Sequence, residues 1–75
     1  MKTGFTESEE SIIQQICLLY NIQIRTYKQG VFIGMIPKNV RMTLNGTYMM
    51  KLLNTGNVVY IEIKDGINVL IIMHQ

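Results

Sequence analysis

Val58-Val59-Tyr60-Ile61-Glu62-Ile63-Lys64, then Asp65-Gly66, then Ile67-Asn68-Val69-Leu70-Ile71-Ile72-Met73 is the stretch on which the fold turns. β-Branched residues dominate both arms, and the Asp-Gly pair between them tolerates the positive φ angles that a two-residue hairpin demands. The pattern predicts an antiparallel hairpin. In its second arm Ile67, Val69, Ile71 and Met73 occupy one face, with Leu70 and Ile72 on the other, so both faces are apolar near its end. A strand of that kind needs cover on both sides. The chain has 75 residues, and a domain of this size buries only a little over ~60% of the surface its unfolded chain exposes. One core and one helix are available for cover. A partner subunit is the natural second layer, which makes Val69, Leu70, Ile71, Ile72 and Met73 the candidate oligomer interface.

Working back from the hairpin, Val31 to Ile36 reads as a strand that Pro37 ends or confines to an edge, and Gly34 within it marks a bend, a bulge or a close backbone approach. Before it, Ile22, Ile24 and Thr26 alternate with Gln23, Arg25 and Tyr27, the period of a half-buried strand, and Lys28-Gln29-Gly30 supplies the turn. The middle has two readings. Asn45-Gly46, set between Arg41–Leu44 and Thr47–Met50, is favoured hairpin chemistry and favours strands. Tyr48, Met49, Leu52 and Leu53 would also make a helical face ending at Gly56.

At the front, Thr6 and Glu9 have capping-box spacing, and Glu7, Glu9 and Glu10 oppose the helix dipole. A helix should run over 7–20. Ile12, Ile16 and Leu19, with Ile13, Cys17 and Tyr20, form its apolar stripe, Gln14 and Gln15 face away, and Asn21 is a left-handed stop. The helix is expected to pack as a lid on the sheet, behind a flexible lead over 1–6. The fold class is α+β, mainly β: one domain, with an N-terminal helix and then strands within 22–73. Those strands are expected to make a strongly curved antiparallel meander or small barrel of five to six short strands.

Hydrophobic residues make up 48% of the chain and charged ones 16%, more apolar material than a monomer this small readily hides. Homo-oligomerisation or a large protein interface follows as the expectation. Lys2 against Glu7, Glu9 and Glu10 leaves −2 over residues 1–10, and the other six cations against Glu62 and Asp65 leave +4 over the remainder. A mildly basic body suits a phosphate-bearing partner. Cys17 is the only cysteine, so no intrachain disulfide is possible. No run reaches the ~20 apolar residues of a membrane span, and the acidic start is unlike a secretory signal. A cytoplasmic protein with no membrane role is the expectation.

Catalytic chemistry finds few candidates. The only serines, Ser8 and Ser11, fall in the helix; His74, the only histidine, is next to last and reads as a frayed terminal residue. No His or Cys cluster suits a metal, and no glycine-rich nucleotide fingerprint occurs. The chain reads as non-enzymatic, without cofactor or metal.

For binding, Gln23, Arg25 and Tyr27 share one face of the first strand, while Arg41, Tyr48 and Lys51 add cations and a ring. Interleaved arginine and tyrosine suit single-stranded RNA, in which bases stack on planar groups and phosphates meet cations. Phe32-Ile33-Gly34-Met35-Ile36 followed by Asn39-Val40-Arg41-Met42-Thr43-Leu44 resembles the first motif of the Sm/Lsm/Hfq family of ring-forming RNA-binding proteins, and Ile63-Lys64-Asp65-Gly66-Ile67-Asn68-Val69 is similar to the second. The resemblance implies a small β-barrel assembled as a homo-oligomeric ring. In it Arg41, Met42 and Thr43 would contact a base, Lys64 and Asn68 would line the pore, and the final strand would pair with a neighbouring subunit. Asn39 stands where the family has an acidic residue, Thr43 where it has asparagine, and Lys64 with an inserted Asp65 where it has Arg-Gly. The rival expectation is a small protein-interaction module, an inhibitor or accessory factor of a phage or mobile element, acting through the apolar C-terminal strand.

Overall fold

The computed structural model describes residues 2–75. Helix α1 spans Glu7–Tyr20 and begins at a complete capping box: the Glu9 backbone N–H donates to Thr6 Oγ1 (3.1 Å) and the Thr6 N–H donates to Glu9 Oε1 (2.9 Å). It ends where Asn21 turns left-handed, at φ 55° and ψ 45°. Ile13 and Ile16 are fully buried, in one cluster with Phe32, Leu70 and Ile72. Leu19, expected on this stripe, is instead 64% exposed. The buried line runs through Glu9, Ile13 and Ile16, and Leu19 lies about 90° round the helix from it at 100° per residue.

Strands β1 (Gln23–Lys28) and β2 (Val31–Met35) form a hairpin; β3 (Val58–Lys64) and β4 (Ile67–Met73) form a second, through Asp65 and Gly66 at φ 54° and 75°. Both turn angles are positive, as a type I′ turn requires. All pairings are antiparallel and the order is β1-β2-β4-β3. The α+β, mainly β, helix-then-strands class is thus observed, but among the described residues the sheet is open and has four strands rather than five or six. β4 lies inside it, with its backbone engaged by β2 on one side and β3 on the other, so it offers no free edge to a neighbouring subunit.

The missing strands are accounted for by residues 36–54. Beyond Ile36 the chain runs irregularly to Gly46, and Thr47–Asn54 is helix α2. No hairpin forms at Asn45-Gly46: Gly46 has φ −74° and serves as the N-cap of α2. Met49 and Leu52, three residues apart, both drop into the core at 2% and 0% exposure, a burial that the helical spacing provides. Leu53, the end of the expected helical face, stays exposed.

Both helices lie on one face of the sheet, over Phe32, Leu70 and Ile72. Gly34 is a point of close packing there: a Cβ would lie 2.3 Å from Ile22 Cγ2 and 3.0 Å from the Phe32 ring. Within the lead segment, Thr3 and Phe5 are held against the fold. Thr3 and Phe5 are buried, and the Gly30 N–H donates to the Thr3 carbonyl at 2.7 Å. Phe5 anchors it against the Tyr27 and His74 rings, at centroid distances of 5.9 and 5.8 Å. Met1 lies outside the described residues. No helix among the described residues is long and apolar enough to cross a membrane.

Candidate docking face

Residues paired across antiparallel strands point to the same side of a sheet. The register therefore arranges the helix-free face in rows. One row reads Lys28, Val31, Met73, Val58; the next Thr26, Ile33, Ile71, Tyr60; the third Gln23, Met35, Val69, Glu62; and a short fourth pairs Ile67 with Lys64. The two inner strands contribute only aliphatic and methionine side chains to this face. Polar and charged groups fall on the outer strands. Val31, Ile33, Met35, Ile67, Val69, Ile71 and Met73 are each half-buried, and none belongs to the core beneath the helices.

The face is where the two-sided character of β4 is resolved. Of the expected interface residues, Val69, Ile71 and Met73 lie on it, while Leu70 and Ile72 are 0% exposed and fill the core on the other side. At one end a recess of about 310 Å³ is lined by Arg25, Ile33, Met35, Lys64, Asp65, Ile67 and Val69. It brings together two of the expected RNA contacts, Arg25 and Lys64.

The other expected contacts lie elsewhere. Ile24 pairs with Gly34 and Thr26 with Ile33, which leaves Arg25 as the extra residue of a β-bulge. The bulge resets the alternation, so Tyr27, expected beside Arg25, turns to the helix side opposite Phe32, ring centroids 5.3 Å apart. Burial pushes the Tyr27 phenol up to about 12, with help from the Glu10 carboxylate, and its hydroxyl has no hydrogen-bond partner among the described residues. It is a core ring rather than a stacking platform. Arg41, Met42 and Asn68 line a separate recess with Lys38, Asn39 and Val40, on the helix side of the sheet; Thr43 is exposed in the irregular segment.

One cluster was not legible from sequence. Glu9 is 2% exposed, yet its carboxylate accepts from Asn57 Nδ2 (2.7 Å), Thr55 Oγ1 (3.2 Å) and the Thr6 N–H, and lies 3.1 Å from His74 Nδ1. Burial pushes this carboxyl up, but the hydrogen bonds from Thr6, Asn57 and Thr55 outweigh it and hold the group at about 2. His74 is therefore not frayed: its backbone N–H also donates to the Gly30 carbonyl at 2.7 Å. The cluster ties the start of α1, the end of α2 and the end of β4 together. All four carboxylate contacts are used internally, which makes it a structural clasp. The Cys17 thiol, half-buried on α1, is pushed up to about 11 by burial, away from the reactive thiolate form.

Compared with known protein families, curated proteins and solved structures, the chain matches none.

Proposed function

We propose that this chain is a non-catalytic binding module that docks a protein partner through the open face of its sheet, the partner presenting an apolar patch bordered by carboxylates. The observation that carries the reading is the aliphatic centre of that face, Val31, Ile33, Met35, Val69, Ile71 and Met73, with Arg25, Lys28 and Lys64 at its margins against Glu62 and Asp65. Interfaces have this anatomy: charges depleted at the centre and gathered at the rim. With strands ~4.8 Å apart and residues ~3.3 Å apart, the face covers about 400 Å², the size of a functional patch and enough for a transient complex. A second copy carries the same net-positive margin, whereas an acidic border on a different partner would neutralise it.

The RNA-binding reading rests on the recess of Lys38, Arg41 and Asn68, which has two cations but no aromatic ring. Bases bound to a single-stranded site stack on rings, and the inner strands of the open face carry none. A cytoplasmic setting suits the lone thiol under either reading.

The test is a titration of the isotopically labelled protein, followed by amide chemical shifts, with two probes: a short amphipathic peptide of Leu and Glu, and single-stranded U-rich or A-rich oligonucleotides. The peptide should shift β2 and β4, and Ile71→Lys should weaken that response at least roughly tenfold. The lysine stem can lie along the face, so the fold is retained. Shifts confined to residues 38–42 and 68 with oligonucleotide, and none with peptide, would sink the docking reading in favour of RNA.

A further inference from the structure

The two edges of the sheet are not equivalent. β1 is bulged at Arg25 and fringed by Arg25 and Lys28, features that discourage another strand from pairing there. β3 carries Glu62 and Lys64 near one end but has no bulge, and Val58–Ile61 is free of charge. Its seven residues pair with β4 in unbroken register, without bulge or proline, and among the described residues β4 is its only strand partner. Along it Val58, Tyr60 and Ile63 are exposed, Ile63 at 75%. A regular, largely apolar edge with unpaired backbone groups is a template for strand addition.

We propose that the β3 edge is a self-association site, where β3 of a second copy adds antiparallel about a two-fold axis through Ile61. Three features single out this occupant and this register. The axis at Ile61 is the middle of Val58–Lys64, so all seven residues engage. It sets Val59 opposite Ile63, Tyr60 opposite Glu62 and Val58 opposite Lys64, with no like charges facing. Moving the axis one residue toward Lys64 sets Glu62 directly against its own copy, a destabilising pair. Val59, Ile61 and Ile63 share the helix side of the strand, so pairing also lays three apolar cross-strand contacts in a strip and covers the most exposed isoleucine of the chain. The product is a continuous sheet of twice four strands whose two open faces lie side by side. The proposal stands on the edge, independently of what the open face binds.

Sedimentation of the full chain over a concentration series tests it. A reversible dimer is expected with a dissociation constant of the order of 10 µM, weakened at least roughly tenfold by Ile63→Lys and unaffected by Ile71→Lys. Register is read by cross-linking in a Cys17→Ser background. Ile61→Cys should form an intermolecular disulfide on mild oxidation, because directly opposed residues lie ~4.5–5.5 Å apart at Cα. Val59→Cys should not, since its copy would be about 13 Å away. A wild-type monomer overturns the proposal, as does a dimer linked through Val59→Cys rather than Ile61→Cys. A dimer lost in Ile71→Lys but kept in Ile63→Lys overturns it too, and would assign the open face to a second copy instead.

Discussion

Glu9 shows how far a single residue can be read along the chain. Its spacing from Thr6 announces a capping box, and the box is there. Its bonds to Asn57, 48 residues on, and its contact with His74 are set by where α2 and β4 finish, which no local pattern encodes. Glu9→Gln keeps the box, since glutamine serves at that position, but removes the buried charge. The expected loss is about 1–3 kcal/mol at neutral pH. The sign of the pH dependence follows from a folded carboxyl held at about 2, below its ordinary 4.5. The stabilisation is complete above that ordinary value and disappears as pH falls toward about 2. Denaturant unfolding of both proteins across that range should show the two curves converging in acid; a constant gap would refute the charge account. Gly34→Ala belongs to the same scale. Its methyl would strike Ile22 and Phe32, both buried, so a loss of about 1–3 kcal/mol in unfolding free energy is expected.

Among the elements, α1 and the four strands follow from periodicity and turn chemistry, because each signal is local: a cap, an alternation, a residue tolerant of positive φ. Two elements escaped this reading. Thr47–Asn54 carries a hairpin dipeptide before it and a helical spacing within it, and only the chance to bury Met49 and Leu52 decides between them. The distinction has a measurable sign. Gly46→Asp should stabilise by about 0.5–1 kcal/mol, since Gly46 is an N-cap with ordinary φ, no side-chain cap and open space around it. In a type I′ hairpin the same change would destabilise, so a fall in melting temperature would contradict the helix. The second is the bulge at Arg25, invisible to a strict count of two, which moves Tyr27 into the core and Arg25 onto the open face.

For the whole molecule, the consequential fact is that a two-layer arrangement leaves one side of an apolar sheet without a third layer. Ile71 and Ile72 are neighbours in sequence on opposite sides of that sheet. Ile72→Ala should cost about 2–5 kcal/mol, because the site is wholly buried. Ile71→Ala should cost roughly 1 kcal/mol or less in the free protein, its burial being partial. Thermal unfolding of the pair measures the asymmetry, and equal losses would mean that the face is covered. The sequence by itself determined the helix, both hairpins, the two-sided apolar character of the last strand and the shortage of catalytic groups, since these depend on neighbours a few residues apart. The tertiary structure alone decided that β4 is internal and β3 an edge, that Arg25 and Lys64 share a recess while Arg41 and Asn68 lie on the other side, and that Glu9 meets His74. Strand order and side-chain convergence depend on contacts between distant segments, and these are settled by which packing buries the most apolar surface over the entire chain.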